Sequence, residues 1–195
     1  MESHTNPFLQ PSTLPYQLPP FAEIREEHYR PAFTAGFEQQ LAEIAAITAQ
    51  TDPPTFENTF LPLERSGSIL GRVAAVFFNR SSADSSAFTN DLEEELAPQL
   101  AAHEDAIRLD PALYARISAV HAQLEHLDLP AEAAYLVQRV HTEHTLAGAG
   151  LDDKQKQELS ELNLRLSSLT TRFEKQLLAD TNELAVHVTN DADLD

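Results

Sequence analysis

Two short tracts carry residue types that can do chemistry. In HEDAI, residues 103–107, His103 and Glu104 open a helix-like run and Ile107 stands one turn on. In VHTEHTLAGAG, residues 140–150, His141 and His144 flank Glu143 before the glycines at 148 and 150. A zinc site of the His-Glu-x-x-His kind needs two imidazoles one helical turn apart, a third protein ligand and a glutamate to activate water. HEDAI supplies one histidine and one glutamate. Ile107 cannot ligate, and it continues the apolar series from Leu100, so His103 reads as a residue at the edge of a core. His141 and His144 are three residues apart, a spacing that can bring two imidazoles to one metal. Glu143, however, points elsewhere around the helix, and the inverted His-x-x-Glu-His order would need one more residue after the first histidine. His144 also follows Leu136 and Val140 on the apolar side. Both histidines are therefore assigned to a helix end, where they complement the helix dipole.

The remaining tracts give less. Glu93, Glu94 and Glu95 are consecutive, so they fan out around a helix and read as a solvated face. The serines at 81, 82, 85 and 86 have no Gly-x-Ser-x-Gly turn around them, and no Gly-rich phosphate loop occurs. No residue is assigned a catalytic or metal-binding role, and no substrate-binding residue is singled out.

The elements that would position these tracts follow from apolar periodicity. Pro7, Pro11, Pro15, Pro19 and Pro20 exclude helix near the start. Phe8, Leu9, Leu14, Tyr16 and Phe21 lie among them, which predicts an extended arm over 1–27 laid on a folded body. Apolar residues at Phe33, Phe37, Leu41, Ile44 and Ile47 predict a helix with Pro31 in its first turn. Thr55 can cap a second helix, kinked or irregular around Pro62, Gly67 and Gly71. A third, through Leu92, Leu96, Leu100 and Ile107, carries Pro98 as an expected irregularity. Asp110-Pro111 reads as cap and first turn of a helix running through Leu113, Ile117, Val120, Leu124 and Leu127, and Pro130 starts another that ends at the glycines. Asp152 with Gln155 makes a capping box for a long helix over 152–180, on the order of 45 Å at 1.5 Å per residue. Its stripe is Leu159, Leu162, Leu166, Leu169, Phe173 and Leu177. Only at Leu184, Val186 and Val188 does the period fall to two, the mark of a strand. The expected organisation is thus an all-α body over 28–181, with a short strand beginning in 182–195. A lone strand needs a partner, so the chain is expected to be cut from something larger and to expose an apolar patch that promotes self-association.

Composition narrows the function classes. The 195 residues, 42% of them apolar, suffice for a packed core. Thirteen basic residues against thirty-one acidic ones give a formal charge of -18, which repels phosphate backbones and anionic lipids, so neither nucleic acid nor membrane is an expected partner. There is no cysteine, hence no disulfide or thiolate site. MESHTNPF lacks the basic and apolar regions of a signal peptide, and no apolar run approaches the ~20 residues that span a bilayer, so a cytoplasmic location is expected.

One resemblance covers nearly the whole chain. NPFLQPSTLPYQLPPF with IREEHYRPAF, then TFENTFLPLERSG and VAAVFFN, then LAGAGLDDKQKQEL and LNLRLSSLTTRFEKQLLADTNELAVHVTNDADL, resemble in order the N-terminal part of the thimet oligopeptidase and oligopeptidase A family of zinc metallopeptidases. Within that family, STLPYQLPPF and HYRPAF are more similar to its peptidyl-dipeptidase members, which remove C-terminal dipeptides from oligopeptides, than to oligopeptidase A. The resemblance implies a neurolysin-like helical fold in which N-terminal helices form one wall of a substrate channel. It also implies zinc, held on an HExxH helix of a C-terminal catalytic portion that would be this part's partner. No position of this sequence matches a family zinc ligand or catalytic residue, so no metal is expected in these 195 residues and they are expected to be inactive alone. Two alternatives stand beside this expectation, the N-terminal domain of an oligopeptidase A-like endopeptidase and a stand-alone non-enzymatic helical interaction module.

Overall fold

The computed structural model describes residues 6–184. Among them are seven α-helices and no strand. α1 spans Glu26–Thr48, α2 Leu61–Arg65, α3 Ser68–Ala83, α4 Ala87–Arg108, α5 Pro111–His121, α6 Ala131–Leu146 and α7 Asp153–Glu183.

Local chemistry sets most boundaries. α1 begins a turn earlier than Pro31 suggests, because the Arg25 N–H donates to His28 Nδ1 at 3.1 Å while Glu26 and Glu27 meet the positive end of the helix dipole. Pro31 thus lies inside the helix, where only one early donor is lost. Thr55 and Asn58 exchange side-chain-to-backbone hydrogen bonds of 2.8 and 3.2 Å. The single kinked helix expected after them is three pieces, a π-helical turn at Phe56–Phe60, α2 and α3. Gly67, left-handed at φ 73°, separates the last two and donates its N–H to Glu43 Oε2 at 2.8 Å. α4 runs unbroken through Pro98. α5 stops at His121, short of the expected Leu127, and a 3-10 turn at Leu124–His126 follows, from which Leu124 and Leu127 still reach the core. Asp152 and Gln155 form the expected capping box of α7, with Oδ1 of Asp152 accepting from the Gln155 N–H at 2.8 Å. The strand expected at 184–188 falls outside the described residues except for Leu184, which caps α7 at φ -89°, ψ 5° and is not extended.

The apolar residues form two clusters. Phe8, Tyr29, Phe33, Val73, Phe77 and Leu92 belong to the first, which joins the N-terminal segment, the first half of α1, α3 and α4. Phe33 meets Phe77 edge-on, at 5.6 Å and 90°. Burying each of these rings contributes about 1.5–3 kcal/mol. Ile44, Ile47, Phe60, Leu113, Ile117 and Val137 belong to the second, built from the far half of α1, the π turn, α5 and α6. α1 supplies fully buried residues to both, and α4 reaches the second through Ile107. Ahead of α1, Phe8 is buried and its carbonyl accepts from Arg72 Nε at 3.0 Å, whereas Leu14, Tyr16, Leu18 and Phe21 are exposed.

α7 is packed differently. It lies along α4, and its half-buried positions are Lys156, Leu159, Ser160, Asn163, Ser167, Thr171 and Lys175. Asn163 Nδ2 donates to Asp105 Oδ1 at 2.8 Å, Lys156 Nζ to the Leu109 carbonyl at 3.0 Å, and Lys175 Nζ to Glu94 Oε2 at 2.9 Å. Of the leucine stripe only Leu159, at its start, is half-buried. Leu162, Leu166 and Phe173 are 62%, 63% and 68% exposed, and none of the helix's residues is fully buried.

Candidate functional site

The two histidine tracts come together. His103 on α4 and His144 on α6 both line a cavity of about 410 Å³ at the seam between the clusters. Leu70 and Leu100 contribute from the side of the first cluster, Leu63 and Val140 from the second. Arg108 and Gln40, neither singled out by the sequence, complete its polar lining. Gln40 falls on the apolar side of α1, spaced 4, 3, 4, 3 with Phe33, Phe37, Ile44 and Ile47, but the crossing with α4 that gives it His103 as a partner is not a local feature.

Hydrogen bonding fixes both imidazoles. Gln40 Nε2 faces Ser66 Oγ at 3.4 Å, which leaves Gln40 Oε1 to accept from His103 Nε2 at 2.8 Å. The His103 ring also packs on Phe37, with centroids 4.9 Å apart. His144, 7% exposed, donates from Nδ1 to the Val140 carbonyl at 2.9 Å, one turn back. Each ring thus carries its proton on the bonded nitrogen and keeps a lone pair on the other, His103 Nδ1 and His144 Nε2. Both of those nitrogens are buried without a hydrogen-bond partner. Burial pushes the His103 and His144 pKa values down, which holds both rings neutral.

Fixed tautomers with a free lone pair are what a metal ligand needs, but the surrounding donor set does not complete a site. The two lone pairs are shut off from solvent. Glu143 is held by Arg139 one turn back, and that hydrogen bond keeps its carboxyl below the usual range. Glu104 pairs with Arg108 at 2.7 Å. Among the described residues no group of three or more His, Asp or Glu side chains converges to hold a metal ion. Ile107 faces the second cluster. The seam is a cavity with two neutral imidazoles, the Ser66 hydroxyl and the Glu64 carboxylate on its lining, and these side chains do not converge as a set of metal ligands.

His141 is turned away from His144. Its ring stacks on His121 of α5 at 3.9 Å and 4°, and on Tyr114 at 5.7 Å. The His121 contact was invisible in the sequence because α5 reads as continuing past that residue. His141 has its pKa lowered by burial first, then by the repulsion its protonated form would meet from the neighbouring imidazoles of His121 and His144.

No family model matches the chain. Curated proteins do match it, and the chain is homologous to the N-terminal part of peptidases of the oligopeptidase family. It is 42% identical to dipeptidyl carboxypeptidase of Escherichia coli over 186 residues, 95% of this chain and 27% of that enzyme. The enzyme of the same name from Salmonella typhimurium is 42% identical over 90% of the chain, and oligopeptidase A of Escherichia coli 27% identical over 97%. The chain spans about a quarter of the length of these relatives.

Proposed function

We propose that these residues are the N-terminal helical portion of a dipeptidyl carboxypeptidase, forming one wall of a channel for oligopeptides, and that the chemistry resides in the portion beyond the match. The observation that carries this reading is the 42% identity over 95% of the chain, confined to 27% of the relative. The identity to oligopeptidase A is lower, at 27%, which favours release of C-terminal dipeptides over endopeptidase action. The zinc that the family resemblance implies would polarise a carbonyl and a bound water. It does not fit the donor set of this chain, so no step is assigned to a metal here. What these residues contribute is shape, through a fixed seam and a helical scaffold. A cytoplasmic setting accords with this role, and among the described residues no helix is long and apolar enough to cross a membrane.

The test replaces the matched segment of the Escherichia coli enzyme with this chain. Zinc-dependent release of dipeptides by the chimera is the expected result, together with none from the 195 residues alone, with or without added zinc. A folded chimera that releases no dipeptide refutes the reading. A stand-alone interaction module would give that outcome, and the exposed stripe of α7 is the feature that favours it.

A further inference from the structure

We infer that the seam cavity is a binding site for a small amphipathic cation, a primary ammonium on an aliphatic body, seated between the two clusters; this does not rest on the function proposed above. Five aliphatic side chains, Leu63, Leu70, Leu100, Ile107 and Val140, wall the cavity from both clusters. Its volume of about 410 Å³ lies within the ~300–1,000 Å³ of small-molecule sites, which are mostly apolar with a few placed polar groups.

Hydrogen bonding fixes the polarity of the guest. Gln40 Nε2 reaches Ser66 Oγ at 3.4 Å, and the Ser66 hydroxyl donates to the Leu63 carbonyl at 2.8 Å. His103 Nε2, His144 Nδ1 and Arg108 Nε are spent on Gln40, Val140 and Glu104. The donors of the lining are thus largely used, and acceptors are in excess. His103 Nδ1 and His144 Nε2 meet no donor, and His144 is 7% exposed. Glu64, exposed at the edge of the cavity, pairs with no cation among the described residues. Three carboxylates, Glu64, Glu104 and Glu143, stand against the single guanidinium of Arg108, so the lining attracts a cation and repels a carboxylate. Both rings are neutral, and an imidazolium at either position would repel the guest. A hydrated inorganic ion would leave the aliphatic walls unused, whereas an alkylammonium uses walls and carboxylates together. Its charged head stays at the edge, where Glu64 and water share it, and so avoids the cost of full desolvation.

The experiment titrates the 195-residue chain at pH 7.5 with n-hexylammonium, n-butylammonium and 1-hexanol by calorimetry, and follows the histidine ring signals by NMR. Saturable one-to-one binding of hexylammonium is expected, tighter than butylammonium by roughly fourfold per methylene and tighter than 1-hexanol. The ring signals of His103 and His144 should move, while those of His28 and His126, outside the lining, should not. Glu64→Gln should weaken hexylammonium by roughly 2–5-fold, the size of an exposed ion pair, and leave 1-hexanol unchanged. Equal affinities for hexylammonium and 1-hexanol, or an E64Q variant that binds both as the parent does, would overturn the cationic seat. The absence of saturable binding would overturn it as well. Ring signals that stay fixed while those of the α7 leucines move would place the amine on the exposed stripe and overturn the site.

Discussion

A Cβ placed on Gly36 of α1 would stand 2.9 Å from the backbone N and Cα of Leu70 in α3, closer than packed carbon atoms come. The two helices cross at the one residue without a side chain, and backbone cannot swing aside as a flexible side chain would. Gly36→Ala gains about 1 kcal/mol of helix propensity and still should destabilise the chain by about 1–3 kcal/mol through overpacking. Urea unfolding monitored by circular dichroism checks this. A variant as stable as the parent would mean that the helices separate at no cost.

Arg116 is 7% exposed and faces no carboxylate. Its guanidinium donates to the carbonyls of Gln50 and Asp52 and to Asn58 Oδ1, at 3.1, 3.3 and 2.8 Å. It ties the end of α1 to the π turn over the second cluster. Arg116→Met keeps much of the volume and strands these acceptors, and should cost about 2–4 kcal/mol. The same unfolding measurement applies, and a loss under ~0.5 kcal/mol would show that water replaces the guanidinium.

The seam histidines make stability depend on pH. His103 and His144 have folded pKa values below the unfolded value of ~6.5, so the unfolded chain binds protons that the folded chain refuses. The stability they contribute is complete above the unfolded pKa and is lost as pH falls from there towards the depressed folded values. The melting temperature should drop between pH 7.5 and 5.5. His144→Leu removes an unpaired acceptor, and its melting temperature relative to the parent should be higher at pH 5.5 than at pH 7.5. A difference that does not change with pH would exclude His144 from this linkage.

α7 should open first. Its contact with α4 buries no residue fully and includes polar bonds each contributing about 1 kcal/mol, while α3 and α5 are held by fully buried Val73, Phe77, Leu113 and Ile117. Hydrogen exchange of the 195 residues should show the amides of α7 exchanging faster than those of α3 and α5. Equal protection would place α7 in the same cooperative unit as the cores.

The stripe also governs association of the isolated chain. Leu166→Glu with Phe173→Glu alters two exposed positions, so monomer stability should change by less than ~0.5 kcal/mol per site. Self-association at high concentration should be strengthened by salt, which screens the -18 charge, and lost in this double variant. Sedimentation velocity at low and high salt measures both effects, and equal association of parent and variant would assign it to another surface.

The sequence was most legible where a decision is local. Thr55, Asp110 and Asp152 cap the helices their spacing announces, because a cap needs only a side chain and an amide three residues on. It was least legible where partners are distant in the chain. Gln40 meets His103 across 63 residues, and His121 stacks on His141 across a turn that periodicity reads as helix. The stripe of α7 was plain in the sequence, but which side of the helix faces α4 was not. That choice is made by Asn163, Lys156 and Lys175 finding partners on α4, an outcome that hydrophobic pattern alone would reverse. The histidine tracts were separated from zinc chemistry on local grounds, while their convergence on one seam needed the fold.

α1 adds Tyr29 and Phe33 to one cluster and Ile44 and Ile47 to the other. At 23 residues it is a strut about 35 Å long with each end sunk in a different core. Neither core can melt without exposing part of the same rod, so damage at one end is felt at the other. A single unfolding transition for the two halves follows, and the channel wall that these helices are proposed to build would behave as one stiff plate.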